Sequence, residues 1–200
     1  GLLPQYYHAA GMNIPMNQCL NVINVMLAIE GEEGVGDLCA HWERVLPMLE
    51  ATCRTAICPN GYPEEDMGYG TAMVSRLSKA LETLRRAGIY DPYVECPRYA
   101  RFGRAMLHLV QPWGTHLSTT GDHGDDFAGR IFILARIAEE TGDPALWWLL
   151  QSLSDKRIPE VQLAKGRQVE VSFFSMLFAD RFDRAVLPAD MSSYTIFSGG

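Results

Sequence analysis

The feature that most constrains the fold is a helical period of apolar residues that returns in segment after segment. Over residues 15–29, apolar side chains recur at spacings of three and four, the pattern of an amphipathic helix. The same pattern predicts further helices over residues 37–58, 67–87, 98–110, 126–140 and 145–153. Because several of the connections are short, the sequence predicts an all-α fold built from antiparallel helix pairs.

Turn and capping residues mark the ends of these segments. Gly88 predicts the end of the third helix, and Thr141-Gly142-Asp143-Pro144 predicts a stop followed by a new start. Pro47 predicts a kink or a split in the second helix. After Ser154 the helical pattern gives way to mixed and strand-like pieces. We therefore expect a helical domain over residues 1–154 and a connecting segment over 155–200.

Charge and composition limit the partners and cofactors. The 17 basic residues are scattered among 24 acidic ones, with a net charge of −7, so no nucleic-acid partner is predicted. The longest apolar stretch, residues 22–29, is far shorter than the roughly 20 residues of a membrane span, so no membrane partner is predicted. The five cysteines predict mainly buried free thiols, and their spacing completes no zinc site. Neither a metal nor another cofactor is predicted.

Polar residues concentrate in three places. Residues 60–71 hold Tyr62, Tyr69, three acids and three glycines, and the acids would equally suit a helix N-terminus. Residues 121–126 contain His123 among acids, where a simple helix cap is the alternative interpretation. Along the first helix, Asn17, Asn21 and Asn24 share one face, which would line a cleft or face solvent.

Taken in order, these motifs resemble the catalytic α/α-toroid region of heparinase II/III-like polysaccharide lyases, a group that includes alginate lyases and uronyl epimerases. The motifs are Asn13-Ile14-Pro15-Met16-Asn17-Gln18-Cys19, Asn60-Gly61-Tyr62-Pro63-Glu64 with Gly68-Tyr69-Gly70, Gly121-Asp122-His123, and Thr141-Gly142-Asp143-Pro144-Ala145-Leu146-Trp147-Trp148-Leu149. The resemblance covers roughly residues 13–150. It implies an incomplete (α/α) toroid, with the tail after residue 187 leading into a β-sandwich.

The resemblance also implies β-elimination on a uronic-acid glycan of the alginate or glycosaminoglycan class. Elimination needs the C6 carboxylate neutralised, the C5 proton removed and the departing O4 protonated. Carboxamides can hydrogen-bond the carboxylate, and a tyrosine can act as acid or base. Tyr69 matches the family tyrosine best and Tyr62 comes second. Asn13 stands where the family commonly has a histidine, so His8, His116 or His123 would have to replace that base.

The remaining implied contacts are with substrate. The resemblance assigns substrate binding to Asn17, Gln18, Glu64, Trp113 and His116. Two other interpretations stay open. One is a glycoside hydrolase using Glu64 or Asp66 with Asp122 or Asp125, and the other is a catalytically inactive carbohydrate-binding helical module. The products of the reaction would separate them.

The ends of the chain predict a piece of a longer protein. The chain opens on Gly1-Leu2-Leu3-Pro4 and closes on Ser198-Gly199-Gly200, with no initiator Met or signal pattern. We expect its partners to be an anionic polysaccharide and the remaining domains of the parent chain. The resemblance implies a periplasmic or secreted location, and a cytoplasmic one is expected otherwise. An isolated piece should also self-associate and lack activity, because apolar faces would remain exposed.

Overall fold

The computed structural model describes residues 13–66, 68–109, 131–155 and 179–187. These ranges contain seven α-helices and one 3₁₀ helix: α1 (Asn13–Ile29), α2 (Cys39–Ala56), α3 (Tyr69–Arg86), α4 (Pro92–Glu95), α5 (Pro97–Leu109), α6 (Ile131–Thr141), α7 (Pro144–Asp155) and the 3₁₀ helix Ala179–Arg184. The described ranges hold no β-strand, only an isolated bridge between Ile57 and Pro63. The predicted all-α class is confirmed for this part of the chain.

The helices are packed mainly through α3 and α5. The most extensive contact of α1 is with α3, whereas its contact with α2, the next helix in the chain, is smaller. Helix α5 contacts α2, α6 and α7, and α7 also contacts the 3₁₀ helix. The α1–α3 contact therefore brings together two segments that the sequence separates by a whole helix.

The core follows the apolar period. The α3 side chains predicted to point inward are all fully buried: Met73, Val74, Leu77, Leu81 and Leu84. Trp147 on α7 is also fully buried, and Trp148 packs partly buried against the same core. Both tryptophans therefore act as packing residues.

The helix ends agree with the capping residues in the sequence. Gly88 has φ +71° after α3, and Ile89 N donates to Leu84 O at 3.0 Å, which satisfies a carbonyl of the last turn. At the start of α7, Asp143 Oδ1 accepts from Ala145 N at 3.0 Å and Pro144 is the first helical residue. Both predicted boundaries are confirmed.

Pro47 does not split its helix, so of the two predicted outcomes, a kink or a split, the split is wrong. Helix α2 is continuous from Cys39 to Ala56 with Pro47 inside it. Proline removes one backbone hydrogen bond and crowds the preceding turn. The buried side chains of Val45, Met48 and Leu49 on either side of it offset that loss, since they anchor both halves of the helix in the same core.

A buried polar network joins α3, α4 and α6. Glu82, only 6% exposed, accepts a hydrogen bond from Tyr93 Oη at 2.8 Å and pairs with Arg136 at 3.3 Å. Arg136 also pairs with Glu140, which forms a bidentate contact with Arg85 at 2.6 and 2.7 Å. Burial raises the pKa of Tyr93, so its hydroxyl stays protonated and keeps donating to Glu82. This network fixes how the three helices sit together.

Candidate functional site

The loop between α2 and α3 is a compact turn closed by its own backbone. Cys58 N donates to Tyr62 O at 2.7 Å, and Gly61 N donates to Cys58 O at 2.8 Å. Glu64 N donates back to Ala56 O at 2.9 Å, beside the Ile57–Pro63 bridge. The residues that the sequence singled out between 60 and 66 therefore form an ordered hairpin-like turn.

Helix α5 holds this turn from outside. Arg101 donates to Pro59 O at 2.7 Å, and Arg98 donates to Ile57 O at 3.3 Å and to Arg54 O. Gly61 has φ +95° and lies directly on the α5 backbone. A Cβ at Gly61 would be 2.7 Å from Phe102 N and closer still to the Arg101 carbonyl. Only glycine fits this approach.

Tyr69 lies just after the end of that turn. It is the first residue of α3 and its side chain is 44% exposed. Asp66 Oδ1 accepts from Tyr69 N at 2.5 Å and from Gly70 N at 3.4 Å. A Cβ at Gly70 would lie 2.7 Å from Pro63 Cβ, so the turn packs closely against the helix start. The predicted position of Tyr69 on the first helical turn is confirmed, and its backbone is firmly held.

The capping role of Asp66 gives a testable consequence. Asp66→Ala removes the acceptor for two N–H groups at the start of α3, so we expect a loss of about 1 kcal/mol of unfolding free energy. Asp66→Asn keeps a side-chain acceptor and should cost only a few tenths of a kcal/mol. Urea denaturation followed by circular dichroism measures both. Equal stability of the alanine variant and the unmodified protein would contradict the capping role.

Glu64 and Tyr62 lie in the same turn with partners of their own. Cys58 Sγ donates to Glu64 Oε2 at 2.8 Å. Burial and this neighbouring carboxylate raise the pKa of Cys58 to about 11, so the thiol stays protonated as a donor. Tyr62 is partly buried against the core. Of the two candidate tyrosines, Tyr69 is thus the more accessible to a substrate.

Helix α1 carries the amide-bearing face. Asn13 is its first residue, and the helix contains no charged side chain. The exposed residues on it include Asn17, Gln18, Asn21, Val22, Asn24 and Val25. The three asparagines therefore lie on the exposed face of α1, which agrees with either sequence interpretation, a cleft lining or a surface that faces solvent. The result is an uncharged surface on a chain with a net charge of −7.

Several predicted site residues lie outside the described residues. They are His8, His123, Trp113, His116, Asp122 and Asp125. The family resemblance also implies that the 121–126 loop lies on the same side of the toroid as Tyr69, and this stays a prediction, as does the tail from residue 187 as a lead into a β-sandwich. Among the described residues, no three His, Cys, Asp or Glu side chains are arranged to hold a metal ion.

Sequence reasoning missed a separate pocket of about 180 Å³ at the junction of α2 and α5. Its lining includes Cys53, Tyr90, Cys96 and Arg98. The cysteines were expected to be buried free thiols, and four of the five are, whereas Cys39 is exposed. The available signal was Cys96-Pro97, a cysteine directly before a helix start. Its proximity to Cys53 is a tertiary contact that no sequence spacing reveals.

None of the helices that the structure describes is long and apolar enough to span a membrane.

Three comparisons with known proteins were made. A scan of protein-family models, a search of curated proteins and a search of solved structures all find no match to the chain.

Proposed function

We propose that this chain is the α/α-toroid region of a polysaccharide lyase that cleaves a uronic-acid glycan by β-elimination. The observation that carries the proposal is that Tyr69 is both exposed and held in a fixed position. Its side chain is exposed, while Asp66 holds its backbone and glycines stand on both sides of it in the chain. A general acid or base needs this combination of access and fixed position.

The amide face of α1 supports a polyanionic substrate. Because the chain carries a net charge of −7, the protein as a whole repels a uronate chain. Helix α1 adds no charge of its own, and its exposed Asn17, Gln18 and Asn21 offer N–H donors. Hydrogen bonds from such amides to the C6 carboxylate would stabilise the enediolate that forms when C5 loses its proton.

Helix α1 packs on α3, the helix that begins with Tyr69. In this proposal the amides of Asn13 or Asn17 bind the carboxylate while Tyr69 transfers the proton. Tyr69 protonates the departing O4 in its phenol form, and His123 or His116 is the candidate for removing the C5 proton. The remaining toroid helices and a β-sandwich would come from the rest of a longer chain, in a periplasmic or secreted protein.

The hydrogen-bond partners of Glu64 and Asp66 favour elimination over hydrolysis. A glycoside hydrolase needs two carboxyl groups that face the scissile bond. Glu64 instead accepts the Cys58 thiol, and Asp66 caps α3. Both acids that could serve a hydrolase from this loop have structural partners.

The test is a substrate panel assayed with the full-length protein. Alginate, hyaluronan, heparan sulfate and chondroitin sulfate are each incubated with it while ultraviolet absorbance is recorded. Elimination creates a conjugated uronyl double bond, so absorbance should rise with at least one glycan. New reducing ends without that absorbance would indicate a hydrolase. Glycan binding without any product would indicate an inactive binding module.

A further inference from the structure

The pocket between α2 and α5 places two cysteines side by side. Cys53 comes from the last part of α2, and Cys96 lies directly before Pro97, the first residue of α5. Both are almost fully buried in the core, at 1% and 4% exposure, and both line the same cavity. Two cysteines that are far apart in the sequence therefore border one cavity, which a small molecule can enter.

The start of α5 favours a thiolate at Cys96. The neighbouring Cys53 thiol is the largest of the causes that lower the pKa of Cys96 below its ordinary value, followed by the backbone at the start of α5 and the charge of Arg98. The hydrogen bond between the two sulfur atoms and burial raise the pKa of Cys53, so the shared proton stays on Cys53. A sulfur at a helix N-terminus beside a guanidinium is the setting in which cysteine thiolates become nucleophilic.

The other cysteines with resolved shifts lack this setting. Burial raises the pKa of Cys19 to about 12, and burial with Glu64 raises that of Cys58 to about 11. Cys39 is exposed, but its hydrogen bond with Asp37 raises its pKa. Cys96 is the one described cysteine whose pKa is lowered, and Cys53 lies within reach as a second thiol.

We propose that Cys53 and Cys96 form a redox-active dithiol that reduces small hydroperoxides and closes into a disulfide between α2 and α5. The cavity volume of about 180 Å³ supports this class of oxidant. A cavity of this volume has room for hydrogen peroxide or a small alkyl hydroperoxide. The site is separate from the Tyr69 surface and does not depend on lyase activity.

The chemistry balances with the hydroperoxide as the sole oxidant. The Cys96 thiolate attacks the outer peroxide oxygen, so an S–O bond forms, the O–O bond breaks and the alkoxide leaves as an alcohol after taking a proton. Cys53 then loses its proton and attacks Cys96 Sγ, which forms the S–S bond and releases water. In total, two thiols and one hydroperoxide give one disulfide, one alcohol and one water. With hydrogen peroxide the alcohol is a second water.

The test is peroxide oxidation of the reduced protein followed by peptide mass spectrometry. A stoichiometric amount of hydrogen peroxide should produce a Cys53–Cys96 disulfide that dithiothreitol reverses. In Cys53→Ser, Cys96 should instead accumulate as a sulfenic acid that dimedone traps. Cys96→Ser should show neither product and should consume peroxide at least ten-fold more slowly. Cys58→Ser, a matched control at another buried thiol, should behave like the unmodified protein.

The pH dependence separates this site from ordinary thiol oxidation. The charged and titratable groups around it are Glu50 and Arg54 of α2, Tyr90, Glu95 of α4 and Arg98 of α5. The oxidation rate should rise with pH through a midpoint below the ordinary pKa of a cysteine thiol, because the thiolate is the reactive form. Preferential oxidation of Cys39, a mixture of intermolecular disulfides, or unchanged peroxide consumption in Cys96→Ser would each overturn the proposal. Circular dichroism of every variant checks that it is folded.

Discussion

Replacing Tyr69 by phenylalanine is expected to lower kcat for glycan elimination by roughly 10²-fold or more. The change removes only the hydroxyl, so the ring and its contacts remain. Because Tyr69 is 44% exposed, the stability of the variant should stay within about 0.5 kcal/mol of the unmodified protein. The ultraviolet assay on the full-length protein gives kcat and KM separately. KM should change little, since the hydroxyl acts on the proton rather than on glycan binding.

Tyr62→Phe is the matched control for this experiment. It makes the same chemical change in the same turn, on the second tyrosine that the family resemblance offered. If Tyr69 supplies the proton, Tyr62→Phe should keep most of the elimination rate. A large loss in Tyr62→Phe with an active Tyr69→Phe would move the catalytic role to Tyr62, and full activity in both would remove tyrosine from the mechanism.

Gly61→Ala is expected to cost about 3 kcal/mol of unfolding free energy. Two effects add at this position. The residue has φ +95°, which L side chains rarely adopt. The new Cβ would also overlap the α5 backbone, 2.7 Å from Phe102 N and closer to Arg101 O, and backbone atoms cannot move aside as a flexible side chain can. Urea denaturation of the variant and the unmodified protein measures the difference.

Gly34→Ala separates the two effects. Gly34 has a similar φ of +84°, but no atom lies within 4 Å of its added Cβ. It should therefore show only the backbone cost, about 1 kcal/mol. If Gly61→Ala loses no more unfolding free energy than Gly34→Ala, the turn can move away from α5 at little cost. The position of Tyr69 would then be less rigidly fixed than the contacts indicate.

Only part of the candidate site could be predicted from the sequence. The glycine-flanked Tyr69 and the acidic helix start were visible locally, because a cap and its helix are neighbours in the chain. The acids themselves allowed either a catalytic or a capping interpretation. The structure shows Asp66 capping α3 through a local contact, while Arg98 and Arg101 from α5 hold the turn that carries it. A single sequence contains no local signal for these hydrogen bonds from α5 to the turn.

The sequence by itself determined where the longer helices lie and where α3 ends and α7 begins, because apolar period and capping are properties of a few consecutive residues. It did not predict the short helix α4 or the 3₁₀ helix, and the split that it allowed at Pro47 does not occur, since core contacts on both sides keep that helix continuous. Tertiary structure alone decided that α1 packs chiefly on α3 and that Cys53 meets Cys96. Such pairings depend on how whole helix faces fit together, and contacts between distant segments leave no local periodicity to read.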